Sequence, residues 1–296
     1  MAVLAATWGA SYLFIKVGLR DFSAPFIVFA RTALAALVLL PVALHRKTLG
    51  ALRGRGGSIA LLAGLQVVAP FLLITLGEQW IPSALAGILV ASAPIWTAAL
   101  AFTAYAPAER PGAVALAGLG TGMVGVALLF GVDLGGDRLA VLGGVLVLLA
   151  GLGYAGGGIE FKRRMAGVDP AAAAAATMSA SAVLMLPAAL LTLPATAGTD
   201  SVSALLALGI VGTGLAFLIF YDLIAREGPS RASLVAYLSP GFAVGYGVWV
   251  LGEPVTAATF AGLALILGGS YLAAGGRLSA RPAGPDAVVP ARGLRT

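Results

Sequence analysis

Apolar runs of about 20 residues follow one another along almost the whole chain, and this is the length that a helix needs to cross a bilayer. Pro, Gly and charged residues separate ten such runs, at 2–19, 25–44, 58–77, 83–106, 112–131, 139–160, 170–193, 201–225, 232–252 and 255–274. A spanning helix satisfies its own backbone hydrogen bonds, so lipid can surround it. The pattern predicts an all-α polytopic membrane protein with ten transmembrane helices and a disordered tail over 277–296.

Composition excludes most classes of soluble protein. Of the 296 residues, 60% are hydrophobic and 10% are charged, whereas soluble domains contain about 45–50% apolar and about 25% charged residues. The absence of cysteine excludes disulfides and thiolate ligands. The net charge of +6 is not accompanied by basic residues interleaved with aromatic ones, so we expect no nucleic-acid partner. His45 lies in a basic loop without other metal-ligand residues, so we expect neither a metal nor a cofactor.

The distribution of Lys and Arg predicts the orientation of the chain. Fourteen of the eighteen follow even-numbered runs, whereas only Arg20 and Arg138 lie in the loops of the other side. Short loops rich in these residues stay on the cytoplasmic side of a membrane. We therefore expect a multi-pass protein of the cytoplasmic (inner) membrane with both termini in the cytoplasm.

An internal repeat relates the two halves of the chain. One pattern, a Glu followed by two Gly residues at fixed spacing, occurs in both halves. It is formed by Glu109, Gly118 and Gly125 and again by Glu253, Gly262 and Gly269. Each Glu closes a run that a proline interrupts, at Pro94 and Pro240. Five spans per half is an odd number, so the predicted repeats, 1–132 and 133–276, have opposite orientations. Inverted repeats with paired helix interruptions are typical of secondary transporters.

Two glycine patterns resemble the dinucleotide-binding motif G-x-G-x-x-G, and they lie at Gly120-Gly122-Gly125 and Gly151-Gly153-Gly156. Each lies inside an apolar run and not at a strand-to-helix turn, which the motif requires. We interpret these glycines as helix-packing positions, because small residues allow spanning helices to approach closely.

Several motifs together resemble those of one family: Trp8-Gly9-Ala10-Ser11-Tyr12 with Lys16 in the first run, Pro25 and Arg31 in the second, and Glu109-Arg110-Pro111 before a glycine-rich fifth. Over nearly its whole length the chain resembles the EamA-type branch of the drug/metabolite transporter superfamily. The resemblance implies ten helices in two inverted repeats and export of amino acids, other metabolites or drugs through a central cavity. Among the members, the amino-acid and metabolite exporters are the most similar in kind.

Three ionisable residues lie inside apolar runs, where charged side chains are costly and often functional. Two interpretations of Lys16 are equally good: a functional residue of the cavity, or a side chain that extends along the helix to place its charge at the membrane interface. We interpret Arg31 as structural and neutralised by external acids such as Asp21. Asp222 is placed to pair with Arg226 one helical turn later.

Aromatic residues divide by depth within the runs. Trp80, Tyr105, Tyr221 and Trp249 lie near the ends, where an interfacial belt explains them. Deeper aromatic rings provide both apolar area and a hydrogen-bonding tip for a small molecule. We predict the following substrate-binding residues: Tyr12, Lys16, Gln66, Phe71, Trp96, Tyr154 and Tyr246. We predict hinge or gate residues at Pro94, Pro240 and Gly241, because proline removes a backbone hydrogen bond and kinks a helix.

The leading hypothesis is a secondary transporter that exports small metabolites, amino acids first, by alternating access. Its cavity would lie between the halves, lined by spans 1, 3, 4, 6, 8 and 9. The alternatives are an exporter of drugs or hydrophobic cations, a membrane enzyme that acts on lipid, and a non-transporting assembly or sensor subunit. The expected partners are the small-molecule substrate and membrane lipid. The sequence leaves the driving force and the oligomeric state open, with a monomer as one option.

Overall fold

The chain folds into helices that alternate in direction, as seen in a computed structural model that describes residues 1–101, 112–134, 136–227 and 234–273. In this part of the chain the helices are α1 (Ala2–Gly18), α2 (Ala24–His45), α3 (Gly56–Gly77), α4 (Ser83–Val90 and Ala93–Ala101), α5 (Ala113–Val132), α6 (Arg138–Arg164), α7 (Pro170–Leu190), α8 (199–227), α9 (Val235–Leu251) and α10 (Ala257–Ala273). Seven are long and apolar enough to cross a membrane. The other three, α1, α9 and α10, have 17 residues each, which is about 25 Å of helix. The predicted ten-span architecture is confirmed.

Helix starts follow from local capping residues. The Ser23 hydroxyl accepts a hydrogen bond from the Phe26 N–H at 3.3 Å and begins α2. Asp137 and Asp169 cap α6 and α7 in the same way, through the N–H groups of Leu139 and Ala172. Such side chains satisfy backbone donors that the first helical turn leaves unpaired. The short loops, one with a single 3₁₀ turn at Leu49–Leu52, then force neighbouring helices to run antiparallel.

Helix contacts follow a twofold pattern that relates each helix to the one five positions later. Helix α2 packs along α7, and α5 packs along α10, so each of these helices meets its own counterpart. The pair α1–α9 corresponds to α6–α4, and the pair α3–α6 corresponds to α8–α1. Successive helices alternate in direction, so two helices that are five positions apart in the order run in opposite directions. The pattern is therefore that of two inverted five-helix repeats, as predicted.

The crossing of α5 and α10 depends on the repeated glycines. A Cβ atom on Gly118 would lie 2.6 Å from the carbonyl oxygen of Gly269, and one on Gly125 would lie 3.0 Å from that of Gly262. These two contacts are equivalent, because Gly118 corresponds to Gly262 and Gly125 to Gly269. Of the two patterns that resemble the dinucleotide motif, Gly122 likewise faces Ile95, and Gly151 and Gly153 face α4 and α3. Both patterns therefore serve helix packing, although a Cβ atom on Gly120 would have no neighbouring atom within 4 Å.

Two π-helical segments occupy equivalent places in the repeats, Ala63–Val68 in α3 and Ala207–Leu215 in α8. No sequence pattern predicts them. The prediction that Pro94 lies in the interior of a kinked helix was wrong. Helix α4 is interrupted earlier, at Ala91 and Ser92, and Pro94 lies in the first turn of the second segment, where a missing N–H costs little. Pro240 does lie inside a continuous helix.

The two ends of the bundle differ in charge. The end at which α1 begins carries Arg46, Lys47, Arg53, Arg55 and Lys162 to Arg164, and we name it the basic end. The other end is the opposite end. Between them the outer surface is apolar, with Leu37 and Val183 about as exposed as surface residues of a soluble protein, at 70% and 69%. A surface of this kind is suited to lipid.

Candidate functional site

A cavity of about 360 Å³ lies between the two repeats, within the size range of about 300–1,000 Å³ that small-molecule sites occupy. It extends from Phe161 and Ala236 near the basic end to Ile15 and Ile74 beyond the middle of the bundle. Predicted residues in its wall are Tyr12, Gln66, Phe71, Pro94, Tyr154 and Pro240. Wall residues that were not predicted as such include Trp8, Ser11, Arg31, Phe161, Thr177 and Tyr237. Helices α2 and α7 therefore contribute to the wall as well as the six predicted spans.

Arg31 is the principal charged group of this cavity. Its side chain is buried, the guanidinium carbon lies 3.7 Å from the centroid of the Phe71 ring, and Nε donates to the Thr213 hydroxyl at 2.8 Å. No carboxylate in the described part of the chain forms an ion pair with it. Stacking and one hydrogen bond thus fix the plane of the guanidinium, and its terminal nitrogens are left for another partner. A planar fork of donors is suited to a carboxylate.

The π-helical segments shape the wall around Arg31. The segment of α3 places Gln66 and Val67 in the wall. In the segment of α8, the Thr213 hydroxyl donates to the carbonyl oxygen of Leu208 at 2.8 Å and accepts from Arg31. A wide turn disrupts the regular ladder of helical hydrogen bonds, and such turns are frequent at functional sites.

Aromatic side chains form the part of the wall nearest to the basic end. The ring of Trp8 lies 5.1 Å from that of Phe220 and 6.4 Å from that of Phe217. All three line the cavity. The cavity therefore combines one fixed cation, a few hydroxyl and amide groups, and a large apolar area.

Several predicted residues lie elsewhere. The buried indole N–H of Trp96 packs toward Gly151 of α6 and has no acceptor among the described residues. Tyr246 and Gly241 line a separate shallow groove on α9, next to the highly exposed Trp249. Lys16 is not part of the cavity wall either, because its ammonium group donates to the carbonyl oxygens of Glu78 and Ile81, at 2.5 and 2.9 Å.

Residues between the cavity and the opposite end form a closed layer, which we name the seal. It consists of Lys16, the turn from Glu78 to Ala84, and Glu253. Lys16 holds the turn between α3 and α4, as just described. Gly252, with φ of +65°, ends α9 in a left-handed conformation, which favours glycine. The chain then turns back, and the Glu253 carboxylate accepts hydrogen bonds from Ser83 N at 2.7 Å, Ser83 Oγ at 3.0 Å and Ala84 N at 3.0 Å. An acidic group at the start of a helix complements its dipole. Glu109, the repeat counterpart of Glu253, lies outside the described residues, as do Tyr105 and the predicted tail.

Asp21, Asp222 and Arg226 have local roles. The prediction that the Asp21 carboxylate neutralises Arg31 was wrong. This carboxylate instead accepts a hydrogen bond from Gly198 N at 2.9 Å. Hydrogen bonds from Ser201 and from Gly198 lower the pKa of Asp21. The predicted pair of Asp222 and Arg226 is confirmed at 2.8 Å.

Comparison with known proteins agrees with this architecture. The sequence pattern of the EamA-like transporter family matches residues 1–131 and again residues 141–275. The "Probable amino-acid metabolite efflux pump" of Salmonella typhimurium is 28% identical over 91% of this chain and 92% of its own. The "Uncharacterized transporter YoaV" of Bacillus subtilis is 25% identical over 90% and 92% of the two chains. The "Uncharacterized inner membrane transporter YedA" of Escherichia coli is 26% identical over 88% and 84%.

A solved crystal structure has the same fold, with a TM-score of 0.64 over 92% of this chain and 93% of that one, at 22% sequence identity. The family pattern covers both repeats, and the similar proteins named above are transporters or efflux pumps and not enzymes. The chain therefore belongs to the EamA-like transporter family and is a multi-pass membrane transporter.

Proposed function

We propose that the protein exports small zwitterionic metabolites, amino acids first, by alternating access through the cavity between its repeats. The observation that carries this proposal is Arg31, a buried cavity cation with no carboxylate partner among the described residues. Burying such a charge unpaired is costly, and a substrate carboxylate would compensate that cost. The substrate thus supplies the missing half of an ion pair.

The rest of the cavity is suited to the remainder of an amino acid. The Gln66 amide and the hydroxyls of Tyr12 and Tyr154 offer oxygen acceptors for an ammonium group. Phe71 and the aromatic rings near the basic end offer apolar area for a side chain. One fixed cation cannot compensate the desolvation of a multiply charged anion, so sugar phosphates should be poor substrates.

Two of the relatives support the same substrate class, because each is named "Probable amino-acid metabolite efflux pump". The second candidate, an exporter of hydrophobic cations, is less well supported, since Arg31 would repel a cation in the cavity. The proline pair remains part of the proposal. Pro94 and Pro240 both line the cavity. The interruption of α4 just before Pro94 and the backbone hydrogen bond that Pro240 removes inside α9 would allow these helices to change shape as the cavity alternates between the two sides.

Transport of a labelled neutral amino acid into liposomes that contain the purified protein tests this function. We expect an excess of other neutral amino acids to reduce uptake several-fold, and we expect Tyr154→Ala to weaken that inhibition. Sugar phosphates should compete poorly. If hydrophobic cations compete and amino acids do not, the amino-acid proposal is wrong and the drug exporter replaces it.

The direction of export depends on the orientation of the bundle, and we propose that the basic end is cytoplasmic. The chain has no cysteine, so single cysteines can be placed at exposed positions of either end. An impermeant thiol reagent applied to intact cells should label Ala197→Cys, in the loop before α8, and should not label Arg53→Cys. The converse labelling pattern would reverse the orientation. Labelling of Arg53→Cys after the cells are opened is the control for access.

A further inference from the structure

Glu78 follows α3 directly and lies one helical turn beyond Ile74, which is part of the cavity wall. It is 0% exposed, and neither of its carboxylate oxygens has a hydrogen-bond partner among the described residues. Glu160, a buried glutamate of α6, is by contrast paired with Arg163 and Arg164. A fully buried carboxyl group without partners is rare, and it calls for an explanation.

The groups that face Glu78 come from several elements. Lys16 of α1 bonds the backbone oxygen of Glu78 itself and not its carboxylate. Tyr12 of α1, Arg31 of α2 and Glu253 after α9 are the other titratable groups near it. On the side of α6, Gly143 and Val147 pack against the end of α3, and they carry no charge.

Opposing effects therefore act on this carboxyl group. Removal from water and the nearby carboxylate of Glu253 favour the protonated, neutral form, whereas the cations of Lys16 and Arg31 favour the ionised form. Neither form is stabilised by hydrogen bonds inside the seal. A group in this situation exchanges a proton when its hydration changes, and movement of the seal would change it.

We propose that Glu78 is a proton-binding site that couples opening of the seal to the proton gradient, so that the protein exchanges protons for substrate. This inference rests on the proposed transport function and names its driving force. When the seal opens, water reaches Glu78, and the carboxylate binds a proton from the opposite side. The neutral group permits the seal to close. When the cavity opens toward the basic end, the proton leaves through it, one helical turn away, and substrate enters. The buried carboxylate that remains then favours reopening of the seal, which releases the substrate on the opposite side.

The test compares Glu78→Gln with a matched control, Asp222→Asn. Asp222 is the counterpart of Glu78 in the second repeat. The number of residues from Glu78 to Asp222 equals the number from Glu109 to its counterpart Glu253. It is exposed and paired with Arg226, so its neutralisation should leave coupling intact. Both substitutions replace a carboxyl group with an amide of nearly the same shape that cannot ionise.

Liposomes with an acidic interior should accumulate a labelled neutral amino acid, by up to about tenfold per pH unit for one proton exchanged. We expect the unmodified protein and Asp222→Asn to do so. Glu78→Gln should lose the accumulation and retain exchange of labelled for unlabelled substrate, which also shows that it is folded. Full accumulation by Glu78→Gln would overturn the proposal. If the unmodified protein only equilibrates the labelled amino acid across the liposome membrane, whatever the pH gradient, the proton-coupling proposal is overturned while the proposed transport function stands.

Infrared spectroscopy supplies a readout that needs no substrate. Among the carbonyl stretches of protonated carboxyl groups, one titrating component should be present in the unmodified protein and in Asp222→Asn and should be missing from Glu78→Gln. If every component of the unmodified protein persists in Glu78→Gln, Glu78 is not the proton site. If the band behaves as expected but no amino acid is transported, the proton site stands and the proposed substrate class is wrong.

Discussion

Replacing Arg31 with Gln should weaken binding of a zwitterionic amino acid by at least about 30-fold, since loss of one partner from a buried, hydrogen-bonded charge pair costs about 2–5 kcal/mol. The physical reason is that a substrate carboxylate would enter a buried site without its counter-charge. The affinity of Arg31→Lys should lie between those of Arg31→Gln and the unmodified protein. An ammonium group keeps the charge but loses the planar stacking on Phe71 and the fork of donors. Concentration dependence of exchange in liposomes measures the effect.

Arg20→Gln is the matched control, since Arg20 is exposed in the loop after α1. It removes the same charge and should leave substrate affinity unchanged. Equal affinity in Arg31→Gln and the unmodified protein would show that the guanidinium is not the carboxylate site. Equal losses in Arg31→Gln and Arg20→Gln would indicate a general effect of charge and not a binding contact.

Introducing isoleucine at Gly118 should prevent α5 and α10 from crossing and should greatly reduce the yield of folded protein. Even a Cβ atom there would lie 2.6 Å from the backbone oxygen of Gly269, and a backbone oxygen cannot move aside as a flexible side chain can. Overpacking of an interior commonly costs about 1–3 kcal/mol, and we expect this site to reach or exceed the upper value. Thermal unfolding in detergent, followed by size-exclusion chromatography, measures the change.

Gly120 provides the control on the same helix. It is exposed and has no atom within 4 Å of the position of an added Cβ. Gly120→Ile should therefore unfold at nearly the temperature of the unmodified protein. Similar losses from both substitutions would mean that α5 needs glycine for reasons other than the crossing.

The sequence was sufficient to predict the spans and the repeat, because both depend on patterns that the chain displays directly. A bilayer requires apolar runs of fixed length, and close helix crossings require small residues at fixed spacing. The recurrence of Gly118 and Gly125 as Gly262 and Gly269 thus predicted the repeat whose contacts the structure shows.

The cavity was predictable only in part, because the directions of side chains depend on local irregularities. No residue type specifies a π-helical segment, so the position of Thr213 beside Arg31 could not be inferred. From the sequence we expected Arg31 to be structural and neutralised by external acids, and only the Phe71 ring and Thr213 show where the guanidinium is held. The interruption at Ala91 and Ser92 breaks the helical register of α4, so the direction in which Trp96 points could not be predicted from the residues before it.

The π-helical segments also affect how the chain tolerates changes of length. A π turn contains about one more residue than an α turn, so each segment, Ala63–Val68 and Ala207–Leu215, behaves like a helix with an insertion already accommodated. Deleting one residue within such a segment would restore regular α-helix locally and leave the residues on either side on their original faces. Elsewhere in these helices, a deletion would rotate everything that follows by about 100°. The wall of the cavity thus lies where single-residue deletions disturb the register of the remaining helix least.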